Sequence, residues 1–275
     1  MKKNLLITLG CSFTEGVGCY DPALNPNKVL VYDLPPEAKK ITIERFHERG
    51  WPNEVGRRLG FNKVLNLGLG GTANEGHLKV FVDKFIPQVR KLSKDYNLYL
   101  IWLMTIPNRI GLFTEDDITR IIPANGGTKY QYYDIEKAYL RDLKRINFAP
   151  IRDQVHLMKL SEFMFKALNI NYVFASWSED FIEVYNFYTS PNMLTPFPSF
   201  VPYSRKPNMI SIACTHPNEE GYKFMADSMI TSLKTYHPHF VHDKPSTFEW
   251  EWDGSTQYYP NKTNSVNSIL KDSLI

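Results

Sequence analysis

Leu98-Tyr99-Leu100-Ile101-Trp102-Leu103-Met104 is a continuous apolar run of strand length, with no polar residue to give it a wet face. A strand of this kind is buried on both faces, as in a parallel sheet covered by helices on each side. It is the natural centre of the fold. Working back toward the N-terminus, residues 4–9 and the segment Lys63 to Leu67 read as two further strands. Working forward, Asn171-Tyr172-Val173-Phe174-Ala175-Ser176 reads as another.

Helical patterns lie between the strands. Trp51-Pro52 opens one, with proline at a first helical position and Trp51, Val55 and Leu59 repeating every four residues before Gly60 stops it. Leu78, Val82, Phe85, Val89 and Leu92 mark one face of a second, ending near Lys94 and kinked at Pro87. Two more are expected near Glu136–Arg145 and Ile151–Leu168. A last one begins at Pro217, with Tyr222, Met225, Met229, Leu233 and Tyr236 on one stripe. Strands alternating with helices imply right-handed crossovers and a three-layer α/β/α, doubly wound parallel sheet.

The remaining segments read as connections. Residues 21–50 are rich in proline and charge and look like an insertion or lid. Residues 110–135 look irregular, and Pro191 to Pro207 reads as a loop with polyproline character. Residues 1–236 are expected to form one domain, followed by a polar extension over 237–275. A hairpin is expected around Phe248-Glu249-Trp250-Glu251-Trp252, with the final dozen residues disordered.

Composition narrows the function. The 275 residues carry 32 basic against 29 acidic side chains, a net charge of +3, with no long run of one sign. That gives no electrostatic footprint for nucleic acid. Cys11, Cys19 and Cys214 make no even disulfide framework and no zinc spacing, which fits a reducing compartment, and the short Gly68-x-Gly-Gly pattern lacks dinucleotide spacing and a phosphate lysine, so no metal or cofactor is expected. His237, His239, His242 and Asp243 read as surface groups in a proline-containing tail. No stretch of about 18 apolar residues predicts a membrane span. The start, Met1 to Cys11, imitates a lipoprotein signal, but its apolar stretch falls short of a secretory core of about 7–15 residues. It reads as a strand, with no signal peptide and a cytoplasmic location expected.

In a parallel sheet, ligands sit beyond the carboxyl ends of the strands. Ser12 follows the first strand, the Gly68-Leu69-Gly70-Gly71 turn the second, Pro107-Asn108-Arg109 the central one and the Trp177 loop the fourth. A serine after a strand more often caps a helix than attacks a carbonyl. Its weight rises because His216-Pro217 opens the last helix and can supply a base.

With these blocks in this order, residues 4–236 resemble the SGNH (GDSL-like) hydrolase superfamily, whose flavodoxin-like fold the resemblance implies. Gly10-Cys11-Ser12 matches the first block, with Cys11 in place of its usual aspartate, and Gly71, five residues after Asn66, matches the second. Asn108 stands for the third, although Ile106 replaces its glycine, and His216-Pro217 with Gly221 and Ala226 matches the fourth. The resemblance implies Ser12 as nucleophile, His216 as base and an oxyanion hole built from Ser12, Gly71 and Asn108. It favours a small acyl group such as acetyl on a carbohydrate. The spacing looks closest to members encoded by bacteriophages, which points to a phage or bacterial origin and a cytoplasmic location, the host cytoplasm if phage-encoded.

One departure is large. The family's orienting aspartate, three residues before the histidine, is Ala213 here. A Ser–His dyad, a backbone carbonyl near Ala213, or Asp180 as a substitute acid are the alternatives, and Arg109 is a candidate contact for an anionic or hydroxyl-rich substrate. Two function classes therefore stand: a serine esterase, and a binding or structural module that kept the cleft and lost the chemistry.

Overall fold

The computed structural model describes residues 2–70, 72–107, 109–113, 119–123, 149–178, 181–194, 207–211, 213–214 and 216–252; residues 110–113, 119–123, 149–150, 207 and 252 are described as backbone only, as is residue 32. The chain is an α/β protein built on a five-stranded, all-parallel sheet. Its strands are β1 (Lys3–Gly10), β2 (Lys63–Gly68), β3 (Tyr96–Met104), β6 (Asn171–Ser176) and β7 (Glu249–Trp252), in the spatial order β6-β3-β1-β2-β7. The first four are the strands expected from their apolar runs.

Strands β1, β2, β3 and β6 each divide their side chains between two cores because successive residues point to opposite faces. On one face Leu6, Val64, Ile101, Leu103 and Val173 meet Phe46, Trp51, Val55, Met225 and Met229. These come from α2 (Pro36–Arg49), α3 (Trp51–Arg58) and α8 (Glu219–Tyr236). On the other face Leu5, Ile7, Leu9, Leu67, Leu100 and Trp102 meet Phe81, Phe85, Val89, Met158 and Phe165. Those belong to a π-helical turn (Phe81–Phe85), α5 (Ile86–Asp95) and α6 (Ala149–Ala167), joined by Val80 of α4 (Asn74–Val80) and Val184 of α7 (Ile182–Phe187). Burying each such side chain contributes roughly 1.5–3 kcal/mol.

Several expectations need correcting. The segment 21–50 holds the 14-residue helix α2. Thr42 and His47 occupy inward positions beside Ile43 and Phe46, which breaks the apolar period that announces a helix. Residues 110–135 are not uniformly irregular: β4 (Arg109–Phe113) and β5 (Thr119–Pro123) form an antiparallel pair. Gly111 and Pro123 interrupt the alternation that marks a strand. Among the described residues, the segment Phe248 to Trp252 has no antiparallel partner; β7 adds in parallel to the edge of β2, with a Lys63–Glu251 ion pair diagonal to the register. Alternation identifies a strand but does not choose its neighbour. Tyr236 is 55% exposed, outside the buried stripe of α8.

The π turn sits just before Pro87, which has no N–H to continue the ladder. The expected helix near Glu136–Arg145 and the final dozen residues lie outside the described residues. No helix among the described residues is long and apolar enough to cross a membrane.

The topology creates the site. The chain places β2 on one side of β1 and β3 on the other, so the loops leaving these strands diverge at their carboxyl ends. Numbered by chain position, the sheet runs 5-2-1-3-4, so the chain crosses from one side of β1 to the other between β2 and β3.

Candidate active site

Ser12 is the first residue of α1 (Ser12–Glu15), a single turn that begins where β1 ends. Cys11 is its extended N-cap, and the Cys11 carbonyl accepts from the Thr14 and Glu15 amides. As the first helical residue, Ser12 has a backbone N–H with no intrahelical acceptor. The same turn anchors the neighbouring loop: the Gly70 amide donates to the buried Glu15 carboxylate at 2.7 Å, and Leu69 N–H donates to Gly10 C=O at 2.9 Å. Gly68 has to be glycine here, since a Cβ would lie 2.3 Å from the Glu15 nitrogen.

His216 arrives from the other end of the chain. Its carbonyl accepts from Ser211 N–H at 2.9 Å, and Ile210 and Pro217 form a β-bridge around it. Two residues on, Asn218 caps α8 by accepting from Gly221 N–H at 3.0 Å. Gly18 lets the α1 side approach this loop: it has φ of 120°, and a Cβ there would lie 2.1 Å from the Pro217 carbonyl oxygen.

The two ends meet. Ser12 Oγ lies 2.7 Å from His216 Nε2. Tyr222, one turn into α8, reaches back under the pair and donates from its hydroxyl to Val17 C=O at 2.8 Å, with the Ser12 carbonyl at 3.5 Å. Its ring belongs to the core stripe expected from the sequence, but periodicity carries no sign of its hydroxyl's role. Phe13 packs against the imidazole at 5.2 Å and stacks on Trp177 at 4.6 Å. Neither contact has a local signal, since the partners are far apart in the chain.

Electrostatics keep His216 neutral. Burial, followed by the Arg109 charge, lowers its pKa to about 4. A neutral imidazole facing a hydroxyl at hydrogen-bond distance is the arrangement of a general base. Its far nitrogen is unusual. Nδ1 is buried and has no hydrogen-bond partner among the described residues. In the tautomer that accepts from Ser12, Nδ1 carries the proton, and an unpaired buried donor costs about 1–3 kcal/mol. No described side chain selects that tautomer.

The structure thus unites Ser12 and His216 and places Arg109 beside them, its Cζ 5.8 Å from the Trp177 ring centroid. Gly71, Asn108 and Asp180 lie outside the described residues. Among the tail residues, His237 is buried and His242 packs edge-on against Phe61 and Tyr99. Among the described residues no group of three or more His, Cys, Asp or Glu could hold a metal ion.

The chain matches no known family model and no curated protein.

Proposed function

We propose that this protein is a serine-dependent carboxylic-ester hydrolase working through a Ser12–His216 dyad. The observation that carries the proposal is the 2.7 Å contact between Ser12 Oγ and a His216 ring kept neutral by burial. Ser12 Oγ attacks the ester carbonyl carbon while its proton passes to His216 Nε2. The carbonyl π electrons move to oxygen, and the Ser12 backbone N–H faces that developing oxyanion; Gly71 N–H and the Asn108 amide are the further donors proposed. His216 returns the proton to the leaving alkoxide as the C–O bond breaks. Water, deprotonated by the same nitrogen, then releases the acid from Ser12.

The same proposal extends to the fold and substrate. The order β2-β1-β3-β6 and helices on both faces support a doubly wound SGNH-type architecture. With it come a small acyl group on a carbohydrate as substrate, and a bacteriophage or bacterial setting with a cytoplasmic place of action. The second reading, a binding module with impaired chemistry, is favoured by one observation, the unpaired Nδ1 of His216.

Hydrolysis of p-nitrophenyl acetate separates the two. The esterase reading predicts turnover by the wild type that falls by about 10³-fold or more in Ser12→Ala. Equal rates for the two proteins would support the binding module.

A further inference from the structure

Besides His216 Nδ1, three buried nitrogen atoms beside the site have no hydrogen-bond partner among the described residues: Arg109 Nη1, Trp177 Nε1 and His77 Nε2. The first two can only donate. For His77 the proton is assigned by its neighbour. Trp102 Nε1, which can only donate, lies 3.1 Å from His77 Nδ1, so Nδ1 is the acceptor and the neutral ring carries its proton on Nε2. Complete burial, and secondarily the Arg109 charge, hold that ring neutral, with a pKa of about 3. All three atoms are therefore donors.

Their placement links them. Arg109 opens β4, directly after the loop that leaves the central strand, and β4 packs against α4, which carries His77. The Arg109 guanidinium lies over Trp177, Trp177 stacks on Phe13, and Phe13 adjoins both Ser12 and the His216 ring. The Arg109 charge reaches His77 on one side and His216 on the other. A cation next to two histidines that must stay neutral also helps keep them so. Orphaned buried donors each cost about 1–3 kcal/mol, more when charged, and a ligand acceptor removes that cost.

We propose that Arg109, with Trp177 and His77 beside it, forms an oxyanion-binding subsite next to the Ser12–His216 dyad. The preferred ester then carries a carboxylate or a comparable anionic oxygen group in addition to its scissile bond. The statement about the reaction rests on the ester-hydrolase reading, while the binding statement does not. Arginine suits the task because its planar fork pairs with two oxygens at once, which a lysine ammonium does not match.

The test uses two ligands of nearly equal shape, 3-acetoxybenzoate and the neutral 3-acetoxybenzamide, titrated calorimetrically into Ser12→Ala, which cannot form an acyl-enzyme. The benzoate is expected to bind at least about tenfold more tightly than the benzamide, and the ratio should fall close to one in Ser12→Ala/Arg109→Gln. Arg109→Lys, which keeps charge but loses the fork, should cut the ratio severalfold and serves if the glutamine variant fails to fold. The Nε2–H resonance of His77 should move with the benzoate and not with the benzamide. Equal affinities, no binding of the benzoate, or a ratio that survives both substitutions overturns the subsite. Steady-state hydrolysis of the same pair by the wild type separates the two ideas. Tight binding of the benzoate without turnover defeats the esterase and leaves the subsite standing, whereas turnover with no preference for charge does the reverse.

Discussion

Ser12 and His216 stand 2.7 Å apart, yet the chain restrains them in different ways. The serine sits on a turn tied to its surroundings on every side: Cys11 caps it, Glu15 grips Gly70, and the Tyr222 hydroxyl reaches the Ser12 and Val17 carbonyls. The histidine is positioned through its backbone, by Ser211 and the capped start of α8, and through the face of its ring, by Phe13. Its outer nitrogen has no described partner. The Ser12 turn is held by hydrogen bonds, the His216 ring mainly by packing. Packing fixes where a ring lies but is indifferent to which nitrogen carries the proton, so this site sets geometry more firmly than tautomer.

Supplying the missing selector should change the contrast most. Ala213→Asp introduces a carboxylate three residues before His216, where it can accept from Nδ1–H and stabilise the imidazolium. We expect kcat on p-nitrophenyl acetate to rise by about tenfold or more, a fraction of the roughly 10⁴ that such an acid is worth in an optimised triad. The added negative charge should also lift the His216 pKa from about 4 toward its ordinary value, so the acid limb of activity moves to higher pH. An unchanged kcat with an unmoved limb would mean that something other than a side-chain acid already fixes the tautomer.

The smaller change is on the serine side. Tyr222→Phe removes the hydroxyl that ties α8 to the α1 turn and leaves the Val17 carbonyl without this donor. Denaturant unfolding should show a loss of about 1–3 kcal/mol, and kcat should fall severalfold as the two ends lose a common anchor. A stability loss with kcat untouched would show that packing alone holds the pair together.

The same contrast explains what the sequence disclosed. Strands β1, β2, β3 and β6 were legible because burial on both faces leaves continuous apolar runs, and their carboxyl ends pointed to Ser12. Helix α2 was hidden because Thr42 and His47 hold inward positions, so its buried face does not look apolar. Strand β7 was legible as a strand but not as a neighbour of β2, since alternation says nothing about pairing. His216 was found through its helix-opening context, which is local. The Tyr222 hydroxyl, the Phe13–Trp177 stack and the orphaned nitrogen of His77 depend on contacts between distant segments, and no local pattern encodes them.

On the proposed mechanism a neutral His216 activates Ser12. It is tested most directly by the rate at which a fluorophosphonate labels the protein between pH 3 and pH 8, in the wild type and in His216→Ala, with the labelled residue located by mass spectrometry. Because the folded-state pKa is depressed to about 4, the imidazole stays unprotonated and able to act as a base above that pH, and loses this ability below it. The mechanism predicts a label on Ser12, a rate that holds through the neutral range and falls as pH drops through about 4, and labelling about 10²-fold slower or worse in His216→Ala with that limb gone. No label on Ser12, or a His216→Ala protein that labels at the wild-type rate with the same pH profile, would contradict it.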